Sequence, residues 1–429
     1  MKKLLLSLLI APAFVSAQSW VVQNTGFPTA SRGINDIHIV DASTVWALAY
    51  DGAAPTNVVQ EFTKTTDGGN TWTPGLVNIG HPTYTLSNVI ALDANTAFVG
   101  AFDGDTGLGG VWKTTNGGTT WAQSTPANTY NASGTSWFNF VHFFDATHGI
   151  TQGDPSPGNR FELKVTSDGG TTWTNPTGLL TMPTAAGEYG YTDLYAAVGN
   201  TIWFGTSNGR IFKSTNQGNT WTASQTPVAD FTGHQLVFSD ANNGLITNGT
   251  VYYVTTNGGT TWSASAPWTG LPNISSVPGQ ANYYVTTGAA TGNSGSRFTT
   301  NAGTSFTTID TGVQHTTVTF FDATTGWTGG FVNGGVGGIY KFDGNLRTND
   351  TNAVQVSVTP NPTNGVVTVS GFNVANVSVY DLTGKKVYTK DFASIADASV
   401  DISALQTGAY VLTATSDTGA TKTTKVLKN

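Results

Sequence analysis

The 429-residue chain carries 52 Gly, 16 Pro, 12 Trp and no Cys, with only 10% charged residues and a net charge of −7. Three glutamates (Glu61, Glu162, Glu188) are too few for helix bundles or coiled coils. Hydrophobic residues at 38% can build a core, which excludes a disordered chain, and the lack of Cys excludes disulfides and zinc–thiolate sites. What remains is an all-β protein of short strands joined by Gly- and Asn-rich turns.

In chain order, residues 1–17 read as a signal peptide. Lys2 and Lys3 precede an apolar run from Leu4 to Val15, shorter than the roughly 20 residues of a membrane span, and Val15-Ser16-Ala17 suits cleavage before Gln18. Residues 18–351 hold 20 acids and 10 bases, a net of −10, whereas residues 352–429 hold 5 Asp and 6 Lys, a net of +1. So acidic a main domain is not expected to bind nucleic acid or anionic membrane surfaces. No further stretch predicts a transmembrane segment.

One octapeptide recurs along the main domain. It reads Thr65-Thr-Asp67-Gly-Gly69-Asn-Thr71-Trp72, and returns with Asn116 and Trp121, Asp168 and Trp173, Asn216 and Trp221, Asn257 and Trp262, and, more weakly, Asn301 and Phe306. The Asp/Asn positions lie 49, 52, 48, 41 and 44 residues apart, a period that suits one four-stranded propeller blade. Asp or Asn before Gly makes a tight turn, and the aromatic residue then opens the next strand, where it can wedge between sheets. These twelve residues are therefore read as structural.

A second element precedes each octapeptide: an apolar strand, a turn often starting Asp-Ala, and another strand. Its copies begin near Ile37, Val89, Val141, Leu194, Leu236, Ile274 and Val318. That is seven, one more than the octapeptides. The seventh unit ends at Gly338-Ile-Tyr340-Lys-Phe-Asp343-Gly344 with no aromatic strand behind it, while Ser19-Trp20-Val-Val-Gln23 looks like the missing strand. Residues 18–346 are therefore expected to form a seven-bladed β-propeller whose last blade is closed by the N-terminal strand.

The octapeptides resemble the Asp-box, or BNR repeat, of sialidases, sortilin-type receptors, xyloglucan-hydrolysing enzymes and photosystem II assembly factors. Four of the six copies carry Asn in place of Asp. The resemblance implies a propeller; it does not select among the activities of these families.

Residues 347–354 are polar and read as a linker. Residues 355–429 read as a small β-sandwich, with strands at Val356–Val358, Val366–Val369 and Val377–Tyr380 and a hairpin at Asp381-Leu-Thr-Gly384. Pro360-Asn-Pro362-Thr-Asn-Gly365, Val379-Tyr-Asp381-Leu-Thr-Gly384 and Gly408-Ala-Tyr410 resemble the type A sorting domain of the type IX secretion system. This implies that residues 355–429 engage the secretion machinery, and that the chain is secreted or held on the surface of a Gram-negative, Bacteroidetes-type bacterium.

Propellers bind ligands where loops surround the mouth of the central channel. Asp51–Gln60, Phe102–Gly110, Asp154–Arg160, Gly288–Ser296, Thr125–Asn139, Pro176–Asp193 and Pro227–Gln235 are the candidate loops. Their candidate ligand-binding residues are Tyr130, Trp137, Tyr189, Tyr191, Phe231 and His234, types that stack on sugars or make protein contacts. Candidate catalytic carboxylates are Glu188, Asp193, Asp103 and Asp105, since glycosidases need two acids at a set separation. Asp103-Gly-Asp105 also resembles part of a Ca²⁺ loop, but lacks a bidentate Glu; no other cofactor or metal site is expected. The expected role is non-catalytic binding of a glycan or a protein. The alternatives are a sialidase-like or xyloglucanase-like glycoside hydrolase, or a stability protein like the photosystem II assembly factors.

Overall fold

Short strands rich in Val, Phe, Trp and Thr alternate with Gly turns along most of the chain, and a computed structural model shows them paired into antiparallel sheets. It describes residues 18–127, 129–130, 136–156, 160–178, 187–346, 357–381, 383–416 and 421–429. The expected signal peptide and linker lie outside these. The chain divides into two units, with the boundary between Leu346 and Arg347.

The first unit is a seven-bladed β-propeller. Its innermost strands, from blade 1 to blade 7, are Arg32–Ile39, Tyr84–Ala91, Phe138–Phe143, Gly190–Val198, Gln235–Phe238, Asn273–Ser276 and Val318–Phe320. Blades 1, 2, 4, 5 and 6 each run outward through four consecutive strands, and blade 3 through three, with a bridge from Val165 to Thr174 in place of the fourth. Blade 7 takes its outer strand from the N-terminus. Ser19–Asn24 pairs with Val336–Asp343, in register from Ser19 opposite Asp343 to Asn24 opposite Gly338.

The octapeptide turns share one hydrogen-bond pattern. Thr65 Oγ1 donates to Asp67 Oδ1 (2.8 Å) and accepts from the Gly69 N–H (2.9 Å), and the Thr71 N–H donates to Asp67 Oδ1 (2.9 Å). Asn serves as well as Asp because its amide oxygen accepts the same bond: the Thr120 N–H donates to Asn116 Oδ1 at 3.0 Å. The Thr71 hydroxyl donates to Asp67 (2.6 Å), whereas Asn116 donates to the Thr120 hydroxyl (2.8 Å). The bonds from Thr71 and Thr172 hold the Asp67 and Asp168 carboxyls down at about 2. Gly68 and Gly69 have φ of 71° and 88°, which L side chains rarely adopt.

Each turn delivers its aromatic ring to a seam between blades. Trp72 packs with Trp327 and Ile339 of blade 7, Trp121 with Trp46 and Phe62 of blade 1, and Phe306 with Trp268 and Tyr252 of blade 5. Trp20 fills the seventh position: it packs edge-on against Phe342 (5.3 Å) and Phe320 (6.0 Å), and its Nε1 donates to Ser296 Oγ of blade 6 (2.8 Å).

A lysine latch, not anticipated from sequence, accompanies this packing. Lys64 of blade 1 lies over Trp46 and donates to Ala94 O (2.8 Å) and Gly117 O (2.9 Å) in blade 2. Lys113 reaches Gly169 O of blade 3 (2.7 Å), and Lys341 of blade 7 reaches Gly68 O of blade 1 (2.8 Å), each above an aromatic ring. The octapeptide's own backbone carbonyl receives the charge of the neighbouring blade.

The second unit is a five-stranded β-sandwich around Val367, Val369, Val377, Val379, Val400 and Leu412. The two strands expected at 366–369 and 377–380 are one 15-residue strand, Val366–Tyr380. Register shifts between Ser370 and Asn376 bend it, so that it serves both layers. Asn361, between two prolines, clamps the last strand: its side chain donates to Lys425 O (2.7 Å) and accepts from the Leu427 N–H (2.9 Å).

Trp20→Ala is expected to cost about 3 kcal/mol in urea unfolding of the full chain, the range for a large ring removed from a packed site. Lys341→Met, which keeps the side-chain length and removes the hydrogen bond, is expected to cost about 1–2 kcal/mol.

Candidate functional site

The seven innermost strands enclose a channel of 330 Å³ lined by backbone and by a few polar side chains, among them Asp36, His38, His142, Asp193 and Tyr195. Several side chains stitch one wall strand to the next. Asp36 Oδ2 accepts from the Val89 N–H of blade 2 (2.7 Å), and Asn88 donates to Val141 O of blade 3 (2.7 Å). Asn273 donates to Thr316 O (3.0 Å), and the Thr316 hydroxyl donates to Ile34 O across the seam from blade 7 to blade 1.

The channel walls withdraw these groups from bulk water. Burial pushes the Asp36 carboxyl up to about 6, against the opposing bond from Val89. Asp193 has its side chain open to the channel space but is ringed by protein; desolvation, then repulsion from Asp36, holds its carboxyl well above the usual range. Desolvation also pushes His38 down to about 4 and His142 down to about 3, the latter helped by the charge of His38. Both imidazoles are neutral at pH 7.

At one end the channel widens into a mouth of 530 Å³, walled by Asn35, Tyr191, Asp193, His234, Asn273 and Thr316. Tyr191 donates from its hydroxyl to Asp230 Oδ1 and lies 2.7 Å from the Thr232 hydroxyl. Tyr189 is exposed beside it, with the two rings edge-to-face at 5.4 Å. His234 Nδ1 lies 3.0 Å from Thr232 O, which fixes the ring at the rim. Asp193 sits where the mouth meets the channel, with φ of 56°.

Five of the sequence candidates thus meet at the mouth or beside it: Asp193, Tyr189, Tyr191, His234 and Phe231, whose ring is buried in the wall. The others lie elsewhere. Glu188 is buried in an ion pair with Arg210, and Thr206 donates to it as well (2.6 Å), which occupies its oxygens. Asp103 closes its own turn by accepting from the N–H groups of Asp105 (3.0 Å) and Thr106 (2.9 Å); Asp105 is exposed next to it. Tyr130 and Phe231, expected on exposed loops, are buried: Tyr130 packs on Phe138 and donates to Thr151 (3.0 Å), and Phe231 joins the core of blades 4 and 5. Trp137 is half-buried against Phe102. The loop expected over Gly288–Ser296 is a tight hairpin, since strands run to Ala290 and resume at Asn293.

Asp36, His38 and His142 were missed as channel residues. The alternation in Ile34-Asn-Asp36-Ile-His38 marks a strand with a polar face, but no sequence pattern shows that this face looks into a channel. Among the described residues, no three His, Cys, Asp or Glu side chains come together as a metal-binding group, and no helix is long and apolar enough to cross a membrane.

Residues 357–429 match the family of secretion system C-terminal sorting domains. The C-terminal unit is therefore a type IX sorting tail, which marks the chain for export by that machinery to the surface or exterior of a Bacteroidetes-type cell. No curated protein matches the sequence. Among solved structures, the chain is similar to YCF48 bound to D1 peptide, at 14% identity over 77% of this chain and 97% of that one, with a TM-score of 0.51. YCF48 from Cyanidioschyzon merolae is similar over 77% and 99% at 14% identity (TM-score 0.48), and the GH74 enzyme of Niastella koreensis over 92% and 66% at 16% identity (TM-score 0.47). At such identity the first of these speaks to the propeller fold alone.

The raised Asp193 carboxyl binds its proton more tightly in the folded state than in the unfolded one. Its stabilising contribution is full below about pH 4 and is lost as pH rises through the folded-state value. Asp193→Asn tolerates the left-handed backbone and carries no charge. It should match wild type near pH 4 and be the more stable of the two at pH 8, measured by urea unfolding at each pH. His38 and His142 give the opposite slope in both proteins, so the difference between the two reports Asp193 together with its coupling to Asp36.

Proposed function

We propose that the propeller is a non-catalytic binding module that meets a glycan or a protein outside the cell, with the channel mouth as its docking site. The observation that carries this reading is the mouth itself: a 530 Å³ cavity walled by amide, hydroxyl and aromatic side chains, beside the exposed Tyr189 ring. Such a lining offers many hydrogen bonds and few charges, which suits recognition. The sorting tail supports an extracellular setting.

Two observations weigh against a sialidase-like enzyme. Arg32 is paired with Glu61 through two hydrogen bonds (3.0 and 2.9 Å) and Arg210 with Glu188, so neither guanidinium stands ready for a substrate carboxylate. A glycosidase of another type keeps one specific point in its favour: Asp193 and Asp36 sense each other's charge, and both are held protonated more firmly than ordinary carboxyls. Asp36, however, is bonded to the Val89 N–H and serves the channel wall.

The test is a glycan array and a surface-protein pull-down, run beside hydrolysis assays on the same full-length protein. Binding without turnover is expected, weakened at least about tenfold by Tyr191→Ala. Turnover of any glycan that disappears in Asp193→Asn would contradict the non-catalytic reading.

A further inference from the structure

A second cavity, of 550 Å³, opens where blade 7 meets blade 1, and shares no lining residue with the channel mouth. Phe331 and Tyr340 give it two half-buried aromatic rings, with Ser31, Gln314 and Asn333 around them. The rings lie directly on backbone. A Cβ on Gly52 would come within 2.4 Å of the Phe331 ring, and one on Gly330 within 2.5 Å of Tyr340. Tyr50 flanks Phe331 edge-on at 6.0 Å, over Gly33, where a Cβ would also meet its ring at 2.4 Å. Three glycines thus make room for three rings and hold the aromatic surface in place.

The surrounding loops are locked to each other. Ser31, at a left-handed φ of 63°, donates its N–H to Val332 O (3.0 Å) and accepts the Gly52 N–H (3.0 Å). Gln314 donates to Ala289 O (2.7 Å), which sets its amide plane, and Asn333 is exposed at the rim. Among the described residues, no Asp, Glu, Lys, Arg or His lines the cavity. Its chemistry is two flat aromatic faces, two amides, the Ser31 hydroxyl and the Tyr340 phenol in a preformed hollow.

We propose that this seam pocket binds a neutral hexose unit of an extracellular glycan. The C–H face of the pyranose ring stacks on Phe331 and Tyr340, and its hydroxyls bond to Gln314 and Asn333. A charged sugar gains no partner here, and a pocket fixed by glycines loses little side-chain entropy on binding. The proposal rests on the binding reading above, names its ligand class and adds a site off the channel axis.

The full-length protein is titrated with maltohexaose, cellotetraose, mannotetraose and the fully charged tetragalacturonate by calorimetry and saturation-transfer NMR. At least one neutral oligosaccharide is expected to bind. Phe331→Ala and the exposed Asn333→Ala should each weaken it at least about tenfold. Asn333→Ala should unfold at the wild-type temperature, which separates lost binding from lost folding. Failure of every neutral oligosaccharide to bind, or equal binding of tetragalacturonate, in which every ring is charged, would overturn the proposal. So would loss of binding in Asp193→Asn with the two pocket variants unaffected, an outcome that moves the ligand to the channel mouth and leaves the binding reading standing.

Discussion

A propeller blade is a sheet with two apolar faces, and each face must be covered by the blade beside it. That constraint organises this molecule. The octapeptide turn meets it by fixing an aromatic ring on the seam, and at three turns the neighbouring blade answers with a lysine laid over its own aromatic ring and bonded to the turn's carbonyl: Lys64 at Gly117, Lys113 at Gly169 and Lys341 at Gly68. The ring closes through the strand Ser19–Asn24. Trp20 takes the place of the seventh octapeptide ring, and Ser19–Asn24 hides the edge of Val336–Asp343.

Closure also shapes the surfaces available to ligands. In the channel made by the stitched inner strands, desolvation raises the Asp36 and Asp193 carboxyls and lowers the His38 and His142 imidazoles. The mouth above it is polar and aromatic. The seam pocket of Phe331 and Tyr340 lies at the junction of blades 7 and 1, and the same turns that join the two blades there fix its rings. Export through the C-terminal sorting unit places these surfaces where extracellular glycans and proteins are met.

The repeats were legible because the octapeptide joins a turn requirement to an aromatic position at a steady period. Seven blades could then be counted from the inner strands, even where the Trp was replaced by Phe306. The sorting unit was legible for a similar reason: Asn361 between two prolines and the Asp381 turn are local devices with local signatures. The site was less legible. Tyr130 and Phe231 stand in polar loop sequence, yet pack inward, because a ring in a loop buries itself wherever a seam offers room. Glu188 looked available until its pairing with Arg210, 22 residues away, was seen. Asp36 and Asp193 come from different blades, and only the closed ring brings their charges together. The seam pocket depends on Gly33, Gly52 and Gly330, which no repeat or motif in the sequence singles out.

The central claim, that the N-terminal strand closes the ring as a full member of blade 7, is tested most directly by hydrogen exchange on the intact chain. The account predicts that the amides of Ser19–Asn24 and Gly338–Asp343 are protected together, to the same degree as the inner strands of the other blades. Rapid exchange across Ser19–Asn24, as in a frayed terminus, with the rest of the ring still protected, would contradict it.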